Sequence, residues 1–78
     1  MEQYLNLNGN SNVIAYHNGS DYILVVFADR SEYTYSYRSA GRNHVETMKK
    51  LARDGRGLNS YLMLNCKSDY EKKYRPNN

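Results

Sequence analysis

Few residues of this chain could carry covalent or acid–base chemistry, and they are scattered: one cysteine, Cys66, two histidines, His17 and His44, and eight carboxylates. A thiol acts as a nucleophile where a base and an electropositive setting lower its pKa. Neither His17, in a turn signal, nor His44, at an expected helix start, is brought to Cys66 by spacing, and Cys66 reads as a small buried or half-buried residue. Zinc sites need closely spaced ligands, whereas the two histidines stand 27 positions apart. Asp21, Asp29, Asp54 and Asp69 fall at turns or element ends, where a carboxylate caps backbone N–H groups. Gly55 and Gly57 form Gly-x-Gly without the preceding strand that a phosphate loop requires, so they signal helix termination. The expectation is a non-enzyme with no catalytic residue, no metal and no cofactor.

Binding chemistry is better represented. Tyr33, Tyr35 and Tyr37 alternate with Thr34 and Ser36, which sends the three rings to one face of a strand. Turned outward, such rings stack on unpaired bases, each for roughly 1–3 kcal/mol. Arg38, Arg42, Lys49, Lys50, Arg53 and Arg56 gather on and beside the helix that follows, where they could track a phosphate backbone with salt-dependent affinity. These two features compete. A chain short of aliphatics needs the tyrosine rings in its core, against Val45, Met48 and Leu51, and a buried ring cannot stack on a base. The functional expectation is a small binding module for RNA or single-stranded nucleic acid, working through the basic helix, with the three tyrosines as conditional members of the site.

A second class of function suits the same surface: a protein–protein adaptor, or a phage-type inhibitor that occludes a site on a larger host nucleic-acid-processing protein. Charge separates the two. Residues 1–37 hold one basic and four acidic side chains, residues 38–78 ten basic and four acidic. An RNA binder would use the basic helical side, and a nucleic-acid mimic the acidic turns around Asp21, Asp29 and Glu32.

A chain of 78 residues supports one domain, since halves of it would be too small to bury a core. Nine tyrosines stand against one phenylalanine and no tryptophan, so tyrosine must take over packing that leucine and phenylalanine usually do. With a single cysteine there is no internal disulfide, no run approaches the ~20 apolar residues of a membrane span, and Met1-Glu2-Gln3-Tyr4 lacks a signal-peptide start. A cytoplasmic protein away from membranes is expected.

Along the chain, Asn6 to Asn12 reads as a loosely ordered lead-in. Val13-Ile14-Ala15-Tyr16 is a first strand, ended by a turn containing Asn18-Gly19, a strong hairpin signal. Tyr22 to Phe27 is apolar at every position and reads as a central strand. Glu32 to Arg38 is a third strand. Asn43 and Glu46 stand at capping-box spacing, which predicts a helix from near His44, with Val45, Met48, Leu51 and Ala52 as its apolar stripe, Glu46, Lys49, Lys50 and Arg53 on the opposite arc, and Gly55 as its left-handed cap. Leu58, Leu62 and Cys66 at four-residue steps suggest a short second helix, while the alternation of Leu62 and Leu64 about Met63 leaves a strand open. The fold class is therefore α+β: a three-stranded antiparallel meander packed against one amphipathic helix and a short C-terminal helix. One domain spans 1–78, with its core at about 11–70 and loosely ordered ends at 1–10 and 74–78. The exposed edge at Val13 to Tyr16 leaves both a monomer and a homodimer open.

This ordered set resembles the KTSC domain family, a short domain found at the carboxyl end of some lysyl-tRNA synthetases and as free-standing bacterial and phage proteins. Ser11 to Tyr16 is similar to the family's opening strand, Ile23 to Phe27 to its apolar strand, Tyr33-Thr34-Tyr35 to its central Tyr-x-Tyr, and Gly57-Leu58-Asn59 with Tyr70 to its closing segment. The family often has a glycine in the second turn and a proline after the Tyr-x-Tyr strand, where this chain has Arg30-Ser31 and Ser39-Ala40-Gly41. The resemblance implies the fold, and through the synthetase association it implies an RNA-binding role.

Overall fold

A computed structural model describes residues 1–9 and 11–76. Five strands form one antiparallel sheet in chain order: β1 (Glu2–Gln3), β2 (Val13–Asn18), β3 (Tyr22–Phe27), β4 (Glu32–Ser36) and β5 (Lys72–Tyr74). Between β4 and β5 come α1 (Tyr37–Ala40), α2 (Arg42–Asp54) and α3 (Leu58–Asn65). The α+β class stands, with two more strands and one more helix than the sequence suggested.

The apolar run from Tyr22 to Phe27 is the middle strand, with Ile23 and Val25 fully buried on the inner face. That burial accounts for its lack of alternation, because Val26 is also buried and Tyr22 and Leu24 are half-buried on the other side. The turn before it uses Ser20 and Asp21 as its central pair, closed by Gly19 N–H donating to the Tyr22 carbonyl at 2.9 Å, so β2 continues through Asn18. Gly19 serves close approach here, since a Cβ would meet the Tyr22 ring at 2.0 Å.

The third strand stops earlier than its alternation implies. Ser36 and Ser39 form a reciprocal capping box, each hydroxyl accepting from the other's backbone N–H at 3.1 Å, and this turns Tyr37 and Arg38 into α1. The capping box expected from Asn43 and Glu46 does not form: α2 begins at Arg42 behind Gly41 without a side-chain cap. The far end of α2 matches expectation, with Gly55 left-handed at φ 80 and its N–H donating to the Leu51 and Ala52 carbonyls.

Glu2, Gln3 and Tyr74, which fall in the ends expected to be loosely ordered, lie in strands. Glu2 and Gln3 pair with Tyr16 and Ala15, which covers the edge proposed for a second copy. Tyr4 is buried, and its hydroxyl accepts from the Leu58 N–H at 3.3 Å. At the other end Lys72, Lys73 and Tyr74 pair with Thr34, Tyr33 and Glu32. Asn77 and Asn78, also expected to fray, lie outside the described residues.

The core gathers Ile23, Val25 and Tyr35 from the sheet, Val45, Met48 and Ala52 from α2, and Leu58, Leu62 and Cys66 from the α3 segment. The helices thus cover the inner face, and the outer face carries Tyr22, Leu24, Thr34 and Tyr74. Among the described residues no helix is long and apolar enough to cross a membrane.

Candidate nucleic-acid interface

The basic helix is less free than its sequence suggests. Lys49 falls within the buried arc Val45-Met48-Lys49-Ala52, because a position four residues after an apolar one shares its face. Its side chain spans the core margin, donating to the Ser20 carbonyl at 3.1 Å and pairing with Glu46 at 2.9 Å. This corrects its expected place on the solvent arc. Lys50 pairs with Asp54 at 3.0 Å. Arg38, Arg53 and Arg56 are exposed, as is Arg42, whose guanidinium lies 5.8 Å from the Tyr37 ring centroid. Arg42 and Arg53 are eleven residues apart, about 16 Å along the helix axis, with Glu46 on the same side between them. The arrangement is a set of separated cations.

The three tyrosines also part company. Tyr35 is a core residue, 1% exposed. Tyr37, now helical, donates its hydroxyl to Glu46 Oε2 at 2.6 Å. That bond lowers the Glu46 carboxyl below its usual range and raises the Tyr37 phenol above its own. Tyr33 is half-buried, 6.4 Å from Tyr35 in a near-parallel stack and edge-on to Phe27 at 5.3 Å and Tyr70 at 5.1 Å.

These contacts form the wall of a recess of about 490 Å³. Phe27, Tyr33, Tyr35, Met63 and Tyr70 line it, and Asp29, Lys67 and Arg75 stand among its polar residues. Lys73, opposite Tyr33 in the β4–β5 register, places Nζ 5.6 Å from the Tyr33 centroid and 6.0 Å from that of Tyr70. The β3–β4 turn at its mouth is tight, with Arg30 at φ 71, a left-handed conformation that costs an arginine about 1–2 kcal/mol.

The helix-centred reading of the sequence passed over Lys67, Tyr70, Lys73 and Arg75. Tyr70-Glu71-Lys72-Lys73-Tyr74 has no strand alternation of its own, and it is the edge of β4 that draws Lys72 to Tyr74 into the sheet.

Cys66 is buried, and burial pushes its thiol pKa up, away from thiolate chemistry. His44 shares a hydrogen bond with the Tyr61 hydroxyl at 2.7 Å, and His17 lies against Tyr22. Among the described residues no group of three or more His, Cys, Asp or Glu side chains could hold a metal ion.

Burial likewise raises the Tyr35 phenol. Groups with folded pKa values above their unfolded ones contribute stability that is complete below the unfolded pKa and lost as pH rises through the folded value. The urea midpoint is therefore expected to fall progressively above about pH 9, through the ordinary thiol and phenol ranges, and Tyr35→Phe is expected to flatten the upper part of that fall. A midpoint constant to pH 11 would contradict the burial of Tyr35.

No family model, no curated protein and no solved structure matches the chain.

Proposed function

We propose that this protein is a KTSC-like, non-catalytic module that binds single-stranded RNA, seating a base in the recess beside Tyr33 and Tyr70. The observation that carries the reading is the joining of an aromatic wall to cations at one place: two edge-to-face tyrosines with Lys73 over both rings and Lys67 and Arg75 in the lining. Aromatic faces accept any base, and cations beside them meet the phosphates. Arg42, Arg53 and Arg56 would extend the positive field without forming the primary contact. The meander β2–β4, the helix after it and the Gly57-Leu58-Asn59 start of α3 support the family kinship.

The adaptor reading finds its best support in the outer sheet face, where Asp21, Glu32 and Glu71 surround a broader recess with Tyr22, Leu24 and Tyr74. Lys72 and Lys73 interrupt that acidic set, and Asp29 belongs to the aromatic recess instead. A continuous acidic surface of the kind a nucleic-acid mimic needs is not assembled there.

The RNA reading is tested by fluorescence anisotropy of a fluorescein-labelled single-stranded RNA octamer. Micromolar or tighter binding is expected at low salt, weakening as salt rises. Absence of binding at low salt would reject it.

A further inference from the structure

Among the described residues Asp29 is the only carboxylate lining the aromatic recess, and its two oxygens are in different situations. Oδ1 accepts from the Ser31 N–H at 2.9 Å and from the Ser31 hydroxyl at 2.6 Å, which occupies both of its lone pairs. Ser31 is buried, and the turn is closed by Phe27 N–H to the Ser31 carbonyl at 2.9 Å and Arg30 N–H to the Phe27 carbonyl at 2.8 Å, so the carboxylate is held in place. The same bonds from Ser31 lower its pKa, which keeps it ionised and acceptor-only at neutral pH. Among the described residues Oδ2 accepts no hydrogen bond, and it stands in the lining of the aromatic recess together with Arg75, whose charge also favours the ionised carboxylate.

An acceptor-only oxygen reads the edge of a base by its donors. Guanine presents two adjacent donors on its Watson–Crick edge, the ring N1–H and the 2-amino group, with no acceptor between them. Adenine and cytosine each set one amino group beside a ring nitrogen acceptor. Uracil sets one N–H between two carbonyl oxygens. The lone pairs of those three bases face a carboxylate oxygen unfavourably, whereas both guanine donors can converge on it.

We propose that the recess selects guanine among the four bases, with Asp29 accepting from its N1–H and 2-amino group while Tyr33 and Tyr70 hold the ring. The proposal rests on the RNA-binding reading and adds base identity to it. The probe is the labelled octamer, displaced by each of the four nucleoside 5′-monophosphates and by inosine monophosphate, which lacks the 2-amino group.

Guanosine monophosphate is expected to half-displace the octamer at a concentration about tenfold below the other three, since a well-matched pair of base-edge bonds discriminates by roughly this much or more. Inosine monophosphate should fall between. In Asp29→Asn, whose side-chain oxygen can still accept from Ser31, the preference is expected to shrink to within about twofold, with a thermal melt confirming the fold. Equal displacement by all four nucleotides on the unaltered protein, or a guanine preference that survives in Asp29→Asn, would overturn the assignment. The inosine comparison needs no variant and stands if Asp29→Asn fails to fold. Octamer binding without base preference removes this inference alone, while absence of octamer binding removes the RNA reading with it.

Discussion

Tyr35→Ala is expected to abolish the cooperative thermal transition followed by circular dichroism at neutral pH. The ring is 1% exposed and sits in the cluster with Ile23, Met48, Leu58 and Leu62, where the sheet meets the helices. Truncating a buried aromatic to alanine costs about 3–5 kcal/mol, against a total stability of about 4–12 kcal/mol for a domain of this length. Few other residues are placed to take its role, because the chain has one phenylalanine and no tryptophan. Tyr35→Phe keeps the ring volume and should remain folded. A Tyr35→Ala protein melting within a few degrees of the parent would show that the ring is peripheral, and with it that β4 does not face the helices.

The second large effect concerns binding. Tyr70→Leu and Tyr33→Leu are each expected to weaken RNA binding by about 5- to 150-fold, the loss of one stacking surface at roughly 1–3 kcal/mol. Leucine retains apolar contact with Phe27 and the recess wall but offers no π face. Both residues are only partly buried and pack at the edge of the core, so melting temperatures should fall far less than for Tyr35→Ala. Unchanged affinity in both variants would place the RNA contact elsewhere. A parallel loss of affinity and of folded protein would point to a structural role, and melts recorded on the same samples separate the two.

Much of the fold was legible because its signals are local. The unbroken apolar run of β3, the stripe Val45-Met48-Ala52 and the left-handed stop at Gly55 each depend on neighbours within one or two turns. What was not legible depends on partners far along the chain. Nothing near Tyr4 announces that its hydroxyl will meet Leu58, and nothing in Lys72-Lys73-Tyr74 announces an edge at β4 to pair with. The tyrosine alternation implies a strand through Arg38, but the reciprocal Ser36–Ser39 bonds, which form only in the folded chain, end β4 at Ser36.

The candidate site shows the same division. The stripe Val45, Met48, Leu51 and Ala52 implies a solvent arc that includes Lys49, whereas its position four residues after Val45 puts its stem on the buried face and its ammonium on the Ser20 carbonyl and Glu46. Tyr33 was identified from the strand, but its aromatic partners Phe27 and Tyr70 come from β3 and from the segment after α3, and only the folded chain brings them together.

The location of the RNA contact is tested most directly by titrating a single-stranded RNA octamer into nitrogen-15-labelled protein and following each backbone amide by NMR. The expected result is that shift changes concentrate at Phe27 to Tyr35 and at Lys67 to Arg75, with smaller changes along α2. Changes concentrated from Arg42 to Arg56, with Tyr33, Tyr70 and Lys73 unmoved, would contradict it.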